Sequence, residues 1–84
     1  VILYIHGGGW VIANLDTYDS SARALANAAN AIVVSTHYRQ GPEAKFPAAH
    51  EDTLAAYRWV LDNAKSLGGN AQQVAVVGES AGGN

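Results

Sequence analysis

Val74-Ala75-Val76-Val77-Gly78-Glu79-Ser80-Ala81-Gly82 is the stretch that decides how this chain folds. Its apolar start, rich in β-branched residues and without polar alternation, reads as a short strand buried on both faces. The strand runs directly into a Gly-x-Ser-x-Gly set, with glycines two residues either side of Ser80. Glycine there lets neighbouring backbone approach without a Cβ clash. The pattern therefore predicts a sharp strand-to-helix turn that holds Ser80 in a strained conformation and pushes its hydroxyl out at the sheet edge. Free N–H groups at the start of the following helix point at the same spot and favour negative charge there. Three fixed small residues recur by chance in roughly 3% of chains this long, so the turn needs independent support.

Towards the start of the chain, Val1 to Ile5 and Ala31 to Val34 are two more apolar runs of the same character. Between them, Tyr18 to Asn30 carries Tyr18, Ala22, Leu25 and Ala29 at helical spacing, with Asp16 or Asp19 placed to cap its start. Pro47 to Leu67 reads as a second helix with Leu54, Tyr57, Leu61 and Ala64 on one face. Pro47 suits its first turn, Glu51 and Asp52 lie near its positive end, and Lys65 with Gly68-Gly69 ends it. Strand, helix, strand, helix, strand and an incipient helix is an α/β order, which calls for three parallel strands joined by right-handed crossovers. The loops 6–17 and 36–46 both follow strands, so they emerge at the carboxyl edge, where open sheets place their sites.

The 84 residues open at Val1 inside an apolar run and close at Asn84 where a helix is due. Residues 1–84 thus read as part of a larger domain, truncated at both ends. A composition of 49% hydrophobic and 14% charged residues, with net charge -2 and no run of like charges, offers nothing to nucleic acid or an anionic membrane. No apolar run is long enough to cross a bilayer. Without Cys these 84 residues hold no disulfide framework or thiolate metal site, and no His/Asp/Glu spacing in them has the form of a metal site. Compartment and oligomeric state stay open.

The independent support is His6-Gly7-Gly8-Gly9-Trp10, directly after the first strand. Three consecutive glycines leave amide N–H groups uncovered, and such groups can donate to a tetrahedral oxyanion at close range. A linker would have no reason to follow a buried strand in the company of an elbow. Together with Tyr38-Arg39-Gln40-Gly41-Pro42-Glu43, Phe46-Pro47-Ala48-Ala49, Asp52 and the Gly78 to Asn84 block, this loop makes the chain resemble the hormone-sensitive-lipase family of α/β-hydrolases, the bacterial family IV esterases, from end to end. His37, Gln40-Gly41 and Glu79 depart from that family's commoner residues, and such departures bear on substrate preference.

The resemblance implies a partial α/β-hydrolase fold ending at the nucleophile elbow. It also implies that Ser80 is the nucleophile, that the N–H groups of Gly8, Gly9 and Ala81 form the oxyanion hole, and that Gly7 is the turn residue. The implied chemistry is hydrolysis of small-molecule esters of short to medium acyl chain through an acyl-enzyme, with no cofactor and no metal. In this fold the acid and histidine of the triad follow the nucleophile in the chain. His6, His37, His50 and Asp52 are then poor candidates, both partners are expected beyond Asn84, and the 84 residues alone are expected to be inactive. His6 is expected to tether the glycine loop through its ring. Arg39, Glu43 and Asp52 are expected to form a buried or half-buried ion-pair set, and Tyr57 and Trp59 to pack on the sheet. Trp10 either borders an acyl pocket or packs the loop. Two other readings use the same elbow: an α/β-hydrolase peptidase, and a non-catalytic small-molecule receptor, since plant gibberellin receptors resemble the family and lack the histidine.

Overall fold

Strand β1 (Ile2–Ile5) takes the middle of a three-stranded parallel sheet, between β2 (Val33–Thr36) and β3 (Ala75–Gly78). The computed structural model describes residues 1–9, 14–15 and 18–84, so Trp10 and the capping candidate Asp16 lie outside the described residues. Helix α1 (Asp19–Ala29) connects β1 to β2, and α2 (Ala48–Asn63) connects β2 to β3. The register pairs Ile5 with Thr36 on one side and with Gly78 on the other, so the carboxyl ends of all three strands are level.

Alternation along β1 sets the layers. Leu3 and Ile5 face α2 and form the core with Tyr38 and Val60, joined by Ala56 and Tyr57. Tyr4 points to the other face, where its hydroxyl meets Ser21 of α1. Leu3, Val60 and Ala64 are wholly excluded from solvent; burying a side chain the size of Leu or Val contributes about 1.5–3 kcal/mol.

Both helices form where the periodicity places them, with local differences. Asp19 does not cap α1: it sits in the first turn and pairs with Arg23 one turn on, at 2.6 Å. Asn30 closes the helix in the left-handed conformation, with φ 50°, and its N–H bonds the Ala26 carbonyl. Helix α2 stops at Asn63, four residues before Leu67, where the Asn63 side chain donates to the Trp59 carbonyl at 2.8 Å and competes with the main chain. Its inward stripe runs through Ala49, Ala56, Tyr57 and Val60, and the C-cap residue Ala64 continues it. Leu54 and Trp59 are half exposed, so Trp59 does not pack on the sheet. The expectation that every strand is buried on both faces holds for β1 but not for β3, which is exposed along its length. Helix α2 packs on β1 and β2 and leaves β3 uncovered.

The long loop after β2 is tied to α2 by Arg39. Its main-chain N–H and its Nε donate to Asp52 at 2.7 and 3.0 Å, and a guanidinium nitrogen lies 3.5 Å from Glu51. Glu51, and not Glu43, is the second carboxylate, and the set is largely solvent-exposed, with the Arg39 side chain 56% accessible. Hydrogen bonding from Arg39 holds the Asp52 carboxyl below its ordinary value. A carboxylate with a depressed folded-state pKa adds stability above its unfolded pKa and loses it as pH falls through the folded one. Asp52→Asn is therefore expected to lower the urea midpoint at pH 7. The gap should close as pH drops below the ordinary carboxylate range, which paired urea titrations across pH 3–7 will check.

Candidate active site

Level strand ends bring His6-Gly7, leaving β1, beside Glu79-Ser80, leaving β3. These two exits flank the point where the strand order reverses, the position at which open α/β sheets carry their sites. Glu79 is still extended (φ -123°, ψ 130°), and its N–H reaches the Ile5 carbonyl at 3.3 Å as one further rung of the ladder. Ser80 then turns into the left-handed region, φ 55°. That conformation costs a non-glycine residue about 1–3 kcal/mol and survives only where the surroundings over-determine it. After it comes a single 3₁₀ turn, Ser80–Gly83, closed by the Gly82 N–H on the Glu79 carbonyl at 2.9 Å.

The glycines give this turn room. A Cβ on Gly7 would sit 2.8 Å from the Glu79 carbonyl oxygen and 3.3 Å from the Ser80 Cβ, so the glycine loop and the elbow touch. Beyond Gly7, Gly8 and Gly9 both adopt positive φ (114° and 61°), and Ala81 follows Ser80 in the 3₁₀ turn. Ser80 is exposed, whereas Gly7 is buried and Gly8 partly so.

Beneath the loop lies an aromatic stack. The wholly buried His6 ring lies between Tyr38, at 4.5 Å, and Tyr18, at 5.7 Å, nearly parallel to both. Its Nδ1 meets the Gly7 carbonyl at 2.6 Å. A carbonyl only accepts, so the ring proton is on Nδ1 and the tether expected of His6 is in place. Nε2 is buried without a hydrogen-bond partner among the described residues. The Tyr38 hydroxyl donates to the His6 carbonyl at 2.8 Å. Burial, reinforced by Tyr18, raises that hydroxyl's pKa and keeps it a donor. Reading the sequence missed Tyr38 as a support, and its only signal was its place at the head of the Tyr38-Arg39 block.

The remaining candidates are engaged elsewhere. His37 is exposed, His50 Nε2 faces the Asn84 amide at 3.1 Å, and Asp52 holds Arg39. Among the described residues Ser80 pairs with no histidine, and no group of His, Asp and Glu is arranged to hold a metal ion. An apolar cleft of about 410 Å³ runs between α2 and β3, past Leu54, Tyr57 and Val76, and ends under Ala81 without including Ser80. No helix among the described residues is long and apolar enough to cross a membrane.

Residues 2–84 match the family model for the α/β-hydrolase fold. The chain is similar to carboxylesterase NlhH of Mycobacterium tuberculosis, with 55% identity over 100% of this chain and 26% of the relative. It is 45% identical to ethyl acetate hydrolase of Pseudomonas putida, over 99% of this chain and 26% of that protein. Among solved structures, a hyperthermophilic esterase from the archaeon Pyrobaculum calidifontis superposes with a TM-score of 0.95 at 50% identity, covering 98% of this chain and 26% of its own. The chain thus spans about a quarter of the length of the relatives it matches.

Proposed function

Because the chain belongs to the α/β-hydrolase fold family, on its hormone-sensitive-lipase branch, we propose that it supplies the nucleophile and oxyanion hole of a longer serine carboxylesterase. The observation that carries this reading is the left-handed Ser80 at the end of β3, pressed against Gly7. Strain held at a solvent-facing hydroxyl serves no packing purpose and marks functional positions.

In the proposed reaction Ser80 Oγ attacks the carbonyl carbon of a small ester. Its proton passes to a histidine from beyond Asn84. The oxyanion that forms is held by the N–H groups of Gly8, Gly9 and Ala81, aimed where charge appears only in the transition state. Collapse expels the alcohol and leaves an acyl group on Ser80, and water then releases the acid by the same steps. Esters of short to medium acyl chain are the proposed substrates. No step requires a cofactor.

The reading is tested by treating the whole protein with a p-nitrophenyl phosphonate, which phosphonylates an activated serine. One adduct per chain, mapped to Ser80 by peptide mass spectrometry together with loss of p-nitrophenyl butyrate turnover, is expected. An adduct elsewhere that accounts for the lost turnover would overturn the assignment.

A further inference from the structure

We infer that Tyr4 is a positioning residue for Ser80, acting through the carboxylate of Glu79. The inference rests on the reading of Ser80 as the nucleophile.

Glu79, immediately before the strained serine, is fixed at three points. Its N–H bonds Ile5, its carbonyl accepts from the Gly82 N–H, and its Oε2 accepts from the Tyr4 hydroxyl at 3.2 Å. The first two are main-chain bonds that any residue at 79 would make. The third is a side-chain bond between two central features, a β1 tyrosine only 4% exposed and the elbow itself, 75 residues apart in sequence. Ser21 also reaches the Tyr4 hydroxyl, so the bond continues a chain from α1 through β1 to the elbow. Burial first, and Glu79 second, raises the pKa of this hydroxyl, so it remains a donor throughout the neutral range.

Two consequences follow for Ser80. Rotation about the Glu79–Ser80 linkage would relieve the left-handed φ and swing Oγ away from the glycine loop, and anchoring the Glu79 side chain on the α1 side of the sheet opposes that rotation. The same anchor keeps a carboxylate, one residue from the nucleophile, bound to a donor. A loose carboxylate nearby would repel the developing charge.

The test uses the whole protein with Tyr4→Phe, Glu79→Gln, Glu79→Ala and the Tyr4→Phe/Glu79→Ala double change, reading p-nitrophenyl butyrate kinetics and the rate of phosphonate labelling at Ser80. Tyr4→Phe removes one oxygen and is expected to lower kcat and the labelling rate about tenfold, with KM within about twofold of the parent, because a misplaced nucleophile loses rate rather than binding. Glu79→Gln keeps an acceptor for Tyr4 and should stay within about threefold of the parent, while Glu79→Ala falls with Tyr4→Phe and the double change falls no further than about either single one. Parent-like labelling of Tyr4→Phe, or losses that multiply in the double change, overturns the tether alone. Absence of labelling at Ser80 in the parent overturns the nucleophile reading and the tether with it.

Discussion

Ser80→Ala in the whole protein is expected to lower kcat for p-nitrophenyl butyrate by about 10⁵ to 10⁶, the loss that follows removal of a serine nucleophile from an assembled triad. The substitution deletes a single oxygen. Ser80 is exposed, and the turn around it is held by main-chain bonds at Glu79 and Gly82 that alanine leaves intact. Alanine meets much the same backbone cost at φ 55° as serine does, so the melting temperature should stay within about 2 °C of the parent. KM should move little, because the proposed oxyanion donors at Gly8, Gly9 and Ala81 are untouched. An alanine protein that kept a tenth of the parental kcat would remove Ser80 from the mechanism whatever its geometry.

What the residues alone make legible is whatever depends on local order. The βαβαβ succession, the turn at Ser80 and the contact of the glycine loop with the elbow need only strand ends that are level, and parallel pairing of β1 with β3 supplies that. Three things escaped. Helical spacing selects a stripe but not its phase: it points Leu54 inward and passes over Val60, although Val60 is the wholly buried residue of α2. Burial of β3 depends on what covers it rather than on its own apolar content, and among the described residues it is exposed along its length. Side chains that meet across strands depend on register: Tyr4 pairs with Val77, which brings its hydroxyl within reach of the Glu79 carboxylate two residues on. No one-dimensional pattern joins residues 4 and 79. The same holds for Arg39, whose second carboxylate is Glu51, one helical step from Asp52, rather than Glu43 in its own loop.

Gly82→Ala tests how firmly the elbow leans on β1. A Cβ at residue 82 would overlap the Ile5 carbonyl oxygen and stand 2.7 Å from that of His6. Both are main-chain atoms: Ile5 ends the central strand, paired to β2 on one side and β3 on the other, and the His6 carbonyl just after it is held by the Tyr38 hydroxyl, so neither gives way without moving the strand end. Unlike a clash with the end of a flexible side chain, this one is relieved only by moving the whole turn, and the turn carries Ser80. The expected cost is about 3 kcal/mol or more, at the upper end for overpacking. In a protein of a few hundred residues that is a fall of about 6 to 12 °C in melting temperature. Phosphonate labelling at Ser80 should slow by at least about a hundredfold in the protein that remains folded, because an ångström of displacement takes Oγ out of line with the glycine loop. Gly83→Ala is the comparator, since its added methyl meets only the Gly78 carbonyl group, the oxygen at 3.5 Å and the carbon at 3.8 Å, both ordinary contacts. A Gly82→Ala protein that melts and labels like Gly83→Ala would mean that the elbow is held by its own hydrogen bonds and not by its seat on β1.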